Sequence, residues 1–535
     1  MNANDDLFSR LEQLNEIGAA LSSERDIHRL LEKILLAAKT LTRADGGTLY
    51  RMTEDGKALR FEIVRNDSLG IALGGTSGNA INFPDLPLHD EQGRPNNAMV
   101  AAYAAINDKT VNIADAYSEA GFDFTGTRKF DERTGYRSQS FLTVPMKNHE
   151  NEIIGVLQLI NALTPETRAV QAFSTSEQRL VESLASQAAI ALTNRQLISQ
   201  LEALFESFIN LINLAIDEKS PYTGGHCQRV PALTMMIAEA VNQTGEGPFA
   251  DFRMTEAELY ELKIAGLLHD CGKVTTPVHV VDKATKLQTI YDRIGLIDTR
   301  FEVLKRDVQI ATLRKLLDMR TKTDAEAESA CWSSCWKELA ELDDQREFLR
   351  RANIGGEAMS PEQQQRVRDI GTQHTWRNPA SVDADFLTAD EIDNLTIRAG
   401  TLTAGERETI NHHIVATIKM LDALPWPKHL KRVSEYAGGH HERMDGKGYP
   451  KGLTRDQMSL PARMMGIADI FEALTAKDRP YKPGMKLSQA IDIMKKFSEG
   501  GHIDPDLFQI FLQQGVFKRY AETFLDPGQV DEVTV

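Results

Sequence analysis

The stretch 258–270, ELYELKIAGLLHD, decides how the carboxy-terminal part of this chain is read. Leu259, Leu262, Gly266 and His269 recur at the spacings of one helix face, so His269 points where leucines point. Thr255 and Glu258 form a capping-box pattern that predicts the helix start. Asp270 falls in the last turn, where the partial negative charge of a helix end favours a cation. Gly272 is read as the helix stop. A single imidazole on an apolar face is most often a hydrogen-bonded core group, so the reading depends on whether the pattern recurs.

It recurs. His226 begins a stripe with Val230, Leu233 and Ile237, and Pro231 implies a helix that starts late or bends. Thr403 and Glu406 cap another helix, on which Ile410, His413 and Thr417 align. Asp469 interrupts the apolar run RMMGIADIFEAL (463–474), where a carboxylate is costly to bury unless charge or metal compensates it. GGHHERMDGKGYP (438–450) places His440 and His441 side by side at the mouth of a glycine-rich loop. Inward-facing imidazoles and carboxylates in such number make a cluster of metal ligands the economical reading. Histidine nitrogen combined with bridging carboxylate oxygen suits iron or manganese ahead of zinc.

Composition bounds the alternatives. A chain of 535 residues is too long for one core, which predicts two or three domains. A formal charge of −16 argues against a general nucleic-acid binder, since counterion release needs a basic face. No apolar run has the length of a membrane span, and MNANDDLFSRLEQL is unlike a signal peptide. Four cysteines give no disulfide framework, and Cys331 and Cys335, four apart in a helical pattern, read as packing residues. The compartment expected is the cytoplasm.

Upstream, Leu7, Leu11, Leu14, Gly18 and Leu21 mark an amphipathic N-terminal helix over residues 1–24. A second helix, DIHRLLEKILLAAKTL, is followed by turns and β-rich segments from GGTLYRM through GFDF to SFLTVPM, and NEIIGVLQLIN reads as a buried strand. The expected fold is an α+β sensor domain over 25–193. Ser174 and Glu177 then open a long helix, with Ile190, Asn194, Leu197, Leu201, Leu204, Phe208, Leu211 and Ala215 at four-three spacing. That seam predicts a connecting coiled coil over 174–216 and a homodimer, with Asn194 as its register-fixing polar member.

KFDERTGYRSQSFLTVPM, NEIIGVLQLINA and FSTSEQRLVESLASQAAIALTN resemble the second half of a GAF domain. The cyclic-nucleotide-binding members of that family carry Asn-Lys followed by Phe-x-x-x-Asp-Glu. This chain has Asn161-Ala162 and Phe173-x-x-x-Glu177-Gln178. The resemblance therefore implies a small-ligand pocket or a structural, dimerising domain, and names no ligand.

YTGGHCQRV, LLHDCGKVTTP, HHERMDGKGYP and ADIFEALTAKDRPYK resemble, in order, the HD-GYP branch of the HD phosphohydrolases. The likeness runs over 207–285 and 399–515 and implies an all-α domain over 207–525 that hydrolyses cyclic di-GMP at a two- or three-metal centre. Carried over by motif, His226, His269, Asp270 and Asp469 match the basic metal site, and His413, His440 and His441 match the added ligands. Asp270 would bridge the ions, and Lys273 would contact the scissile phosphate. Arg443, Asp445, Gly448, Tyr449 and Pro450 would form a substrate-side wall, while Arg479, Tyr481 and Lys482 would hold the second phosphate and a guanine.

Two departures bear on this. Three-metal members carry a glutamate four positions before the first histidine; Tyr222 stands here, with Asp217 and Glu218 nearby. Two divalent ions and linear pGpG as first product are expected. Residues 286–398 are extra and read as an extended helical arm. The expected chemistry is metal-assisted phosphodiester hydrolysis, with Asp270 bridging and Lys273 supplying positive charge. The rivals are another cyclic dinucleotide as substrate, a non-catalytic cyclic di-GMP receptor, and a docking scaffold for diguanylate cyclases.

Overall fold

In the computed structural model, residues 3–24, 26–219, 225–319, 325–355, 358–378, 380–477 and 484–533 are described. The chain divides into two compact units, 1–205 and 206–535. Among the described residues no helix is long and apolar enough to cross a membrane.

The first unit is α+β. Helices α1 (Ala3–Ser23) and α2 (Ile27–Thr42) precede a sheet of β1 (Ala44–Met52), β2 (Ala58–Asn66), β3 (Ile71–Gly74) and β4 (Leu86–Pro87). Helix α3 (Val100–Asn107), β5 (Val111–Ile113), α4 (Thr125–Thr134), β6 (Phe141–Lys147), β7 (Ile153–Leu163) and β8 (Val170–Gln171) follow, then the long helix α5 (Thr175–Lys219), whose residues from 206 onward belong to the second unit. The strands pair antiparallel in the order β3-β2-β1-β7-β6-β5, with β4 on β2 and β8 on β7. Period-two alternation explains the two faces. Leu49, Leu157 and Leu159 meet Leu31 and Leu35 of α2 and Leu184 and Ala188 of α5. Tyr50 and Val156 face the alanine-rich α3.

The stretch between GFDF and SFLTVPM, read as turns and strand, contains α4. Its helicity is fixed tertiarily: buried Asp131 accepts from Ser138 N (2.7 Å), Ser138 Oγ (2.8 Å) and Tyr117 OH (2.8 Å). The α5 capping box is present, with Ser174 N donating to Glu177 Oε2 and Glu177 N to Ser174 Oγ. The seam residues Leu197, Leu201, Leu204, Phe208 and Leu211 are 45–64% exposed.

The second unit is mainly helical. Helices α6 (His226–Gln243), α7 (Glu256–Leu268) and α8 (Val278–Val281) lead into residues 286–398. That segment contains α9 (Ile294–Met319), α10 (Ala325–Asn353), α11 (Pro361–Gln373), the hairpin β9 (Thr375–Arg377) and β10 (Asp383–Asp385), and α12 (Ala389–Leu395). Helices α13 (Ala404–Asp422), α14 (Val433–Gly438), α15 (Leu460–Thr475), α16 (Leu487–Glu499), α17 (Pro505–Gln513) and α18 (Val516–Phe524) complete it.

The segment 286–398, expected as an extended helical arm, is mainly helical but forms more than an arm. Phe301, Leu304, Leu342, Leu349, Val367 and Phe386 form a core of its own, and its two-stranded hairpin adds β structure to a domain expected to be all α. Its base is closed where Lys286 N and Leu287 N donate to the backbone and side-chain oxygens of Asn353 at 2.9 and 2.8 Å. On α10, Cys335 is buried and Cys331 half-buried.

Candidate metal centre

Glycine-dependent close packing brings the histidine-bearing segments together. At Gly438 an added Cβ would lie 2.7 Å from Ile418 of α13, and at Gly439 2.8 Å from Ala462 of α15. The paired glycines thus let the end of α14 wedge between two helices and carry His440 and His441 inward. Gly272 does the same for the turn after α7: a Cβ there would sit 2.0 Å from His413 O and 2.6 Å from Thr417 N. It is therefore not the left-handed helix stop expected from sequence; its φ is not positive, and close approach to α13 requires it. Helix α6 starts at His226 itself and runs through Pro231, neither late nor interrupted there.

The imidazoles are oriented by one repeated device. Nδ1 of His269 donates to Gly266 O (2.6 Å), Nδ1 of His440 to Ala437 O (2.6 Å), and Nδ1 of His413 to Ile410 O. A carbonyl can only accept, so each of these rings, when neutral, carries its proton on Nδ1 and turns an Nε2 lone pair to the centre. His226 uses a carboxylate instead: its Nδ1 donates to Glu472 Oε2 at 2.6 Å, and Arg229 holds Glu472 Oε1 at 2.8 Å.

These lone pairs converge on Asp270, which is 2% exposed. Its Oδ2 lies 3.1 Å from His226 Nε2, 3.2 Å from His269 Nε2 and 2.6 Å from Lys273 Nζ. Its Oδ1 lies 3.2 Å from His413 Nε2. Asp469 spans the same two sides, with Oδ1 3.4 Å from His226 Nε2 and Oδ2 3.9 Å from His441 Nδ1. His226, His269 and Asp270 form one group of mutually close ligand atoms, and His413, His440 and His441 form another.

The donor set fits divalent cations. Asp270 Oδ1, His413 Nε2 and His440 Nε2 are buried without a hydrogen bond, and His226 Nε2 faces His269 Nε2 at 3.4 Å. Acceptors left unpaired in a dry site are costly, and a cation satisfies them together. Electrostatics agree. Burial lowers His440 to about 4, helped by the neighbouring His269, and burial beside His440 and His413 pushes His441 well down. Both rings are thereby kept neutral, as ligands must be. Burial opposes charge on Asp270, but Lys273, His269 and hydrogen bonds outweigh it and hold the carboxylate well below its usual range. Burial likewise opposes charge on His226, yet hydrogen bonds to Asp270 and Glu472 raise it to about 9.

The loop beyond the histidines is braced from within. Tyr449 stacks on His441 with centroids 4.8 Å apart, and Tyr449 N donates to His441 O at 3.2 Å. Gly448 is pressed against Arg443 N and Glu442 Cα, where a Cβ would lie 2.4 and 2.5 Å away. Pro450 follows through a cis peptide bond. Asp445 accepts from Arg443 Nη2 (2.9 Å) and Lys447 N (3.0 Å), while Arg443 Nε is buried without a partner. Tyr222, Arg479, Tyr481 and Lys482 lie outside the described residues.

Two contributors escaped the sequence reading. Glu472 sits three residues after Asp469 on one helix, and this second buried carboxylate in an apolar run was its signal. Glu442, 4% exposed, accepts from Lys451 N and Leu453 N at 2.7 and 2.8 Å and holds the loop closed; no local pattern singles it out.

In the first unit, the residues at the positions of the cyclic-nucleotide motif make internal hydrogen bonds or lie in the core. Asn161 donates to Tyr136 OH and Arg137 O and accepts from Gln139 N. Ala162 and Phe173 are buried in the core, and Glu177 is the helix cap.

Residues 26–192 match the GAF domain family, and residues 223–354 and 387–507 each match an HD domain family. Over 81 residues the chain is 43% identical to 3'3'-cGAMP-specific phosphodiesterase 1 of Vibrio cholerae, covering 15% of this chain and 19% of that protein. It is 42% identical over 95 residues to cyclic di-GMP phosphodiesterase PA4108 of Pseudomonas aeruginosa, covering 18% and 22%. It is 39% identical over 133 residues to 3'3'-cGAMP-specific phosphodiesterase 3 of Vibrio cholerae, covering 25% and 28%. The chain thus spans less than a third of the length of these relatives.

Two outcomes are expected at the centre. Glu472→Gln should weaken divalent-ion affinity about 10- to 100-fold in a chelator-competition titration, because the carboxylate orients His226; unchanged affinity would remove that role. In the metal-free protein His226 is protonated below about pH 9. Manganese(II) loading at pH 7 should therefore release a proton, and the release should fade as pH rises through about 9, read by calorimetry in buffers of differing ionisation enthalpy.

Proposed function

As a chain that joins a GAF domain to an HD domain, we propose that this protein hydrolyses a cyclic dinucleotide, with cyclic di-GMP cleaved to linear pGpG. The observation that carries the reading is Asp270, whose two oxygens face two separate groups of imidazoles. That arrangement suits a carboxylate bridging two divalent ions, iron or manganese. Ions held there supply Lewis acidity and activate water for attack on phosphorus.

The chain's own residues account for the rest. Lys273 stands beside Asp270 with its charge strengthened: burial opposes it, and Asp270 more than compensates. It can turn to a non-bridging phosphate oxygen and stabilise charge as it develops there. The His441–Tyr449 stack presents an aromatic edge to a base. Arg443, with Nε unpaired, can meet the second phosphate. Gly448, Asp445 and Pro450 shape that wall, and Arg479, Tyr481 and Lys482 are proposed to complete it. Members of the HD-GYP branch combine these features.

A second reading, 3'3'-cGAMP as the preferred substrate, is favoured by the names of two of the relatives above. The two are separated by product analysis after anaerobic loading with iron(II) or manganese(II). Linear dinucleotide should accumulate from cyclic di-GMP and disappear in Asp270→Ala, the loss exceeding about 100-fold because one ligand serves both ions. Faster turnover of 3'3'-cGAMP would reassign the substrate, and turnover of neither would point to a receptor.

The GAF domain is proposed to regulate this activity through a homodimer along α5. A helix face on which Leu201, Leu204, Phe208 and Leu211 are more than half exposed suits a parallel partner. Sedimentation at micromolar concentration should give a dimer, and Leu204→Glu with Leu211→Glu should yield a monomer.

A further inference from the structure

The last residue of α5 touches the turn that carries Lys273. Lys219 Nζ donates to Thr276 O at 2.6 Å, to Lys273 O at 3.3 Å and to Val274 O. The turn Cys271–Thr275 is a single tight coil, so its closing carbonyls have few partners within it. An ammonium has three donors and no acceptor, which matches three converging carbonyls.

The same turn is held on another side by α13, where Gly272 N donates to Thr417 Oγ1 at 2.9 Å. Lys273 is the residue of this turn whose side chain reaches the centre, 2.6 Å from Asp270. A further tie lies earlier on α5. Glu206 pairs at 3.2 Å with Lys263 of α7, the helix that ends at His269. Between the two ties Ile209 and Ile216 are each 2% exposed. This part of α5 is thus tied twice to the one segment that supplies His269, Asp270 and Lys273. Exposed ion pairs contribute little on their own, so Lys219 is the anchor that matters.

We propose that Lys219 is a positioning residue: it fixes the backbone of the Lys273 turn and joins the end of the connecting helix to the group that meets the scissile phosphate. This rests on the reading of Lys273 given above. A lysine that only caps a helix end would stabilise the fold without acting through Lys273, and a double-mutant cycle separates the two cases.

The experiment uses the full chain loaded with manganese(II), with cyclic di-GMP and 3'3'-cGAMP as probes. Lys219→Met should lower kcat about tenfold, a loss of about 1.4 kcal/mol of transition-state stabilisation, with metal content and KM unchanged. In a Lys273→Ala background the same substitution should change kcat less than about twofold. Amide hydrogen exchange over 271–276 should quicken in Lys219→Met, with exchange across α16–α18 unaltered. Lys219→Gln, which keeps an N–H donor, should fall between, and it serves if the methionine variant folds poorly. An equal loss in both backgrounds, or unchanged exchange over 271–276, overturns the proposal. If the unsubstituted protein turns over neither dinucleotide, the functional reading fails, while the exchange measurement still decides whether Lys219 holds the turn.

Discussion

Everything at the centre depends on the buried carboxylate of Asp270 having imidazole nitrogens on both sides. Buried charge is tolerated only when it is compensated, and here Lys273 and His226 do so in the metal-free protein. That compensation is partial. Asp270 Oδ1, His413 Nε2 and His440 Nε2 still face one another without hydrogen bonds. The fold holds acceptors together against their mutual repulsion, which is the arrangement a cation relieves.

Holding them there is the work of backbone proximity. Gly272, Gly438 and Gly439 sit where any side chain would collide with α13 or α15, and Gly466 of α15 faces His440 O at 3.0 Å from its would-be Cβ. The rings are then aimed by carbonyls three residues earlier on the same segments. For His269 and His440, which follow the ends of α7 and α14, those carbonyls have no helical partner and are ready acceptors; His413 lies within α13 and shares Ile410 O with the helix. His226, the first residue of its helix, is aimed instead by Glu472, which Arg229 holds in turn.

The clustered histidines were legible because histidines at leucine positions contradict the apolar period, and capping boxes at Thr255 and Thr403 fixed where two of their helices start. The supporting residues were less legible. Glu472 acts through another residue, so its position in the sequence carries no metal-ligand spacing. Gly272 looked like a helix stop because sequence separates the left-handed glycine from the close-approach glycine only when the partner helix is known. Residues 125–134 folded as helix since Asp131 finds Ser138 and Tyr117 across space, a contact that no local pattern encodes. The separate core of the insertion was hidden for the same reason: Phe301 and Phe386, with ring centroids 4.5 Å apart, are distant in sequence.

The acidity of the chain, −16 overall, conflicts with an anionic substrate only if net charge is taken as a local quantity. Around the centre Asp270, Asp469 and Glu472 face Lys273 and Arg229, which leaves one net negative charge when the histidines are neutral. Two divalent ions would reverse that sign and leave an excess matched to a ligand with two phosphodiesters. Beyond a Debye length of about 8 Å the remaining surface charge is screened at physiological ionic strength. A net negative charge therefore works against polyanions along the surface, while a loaded pocket would attract a compact one.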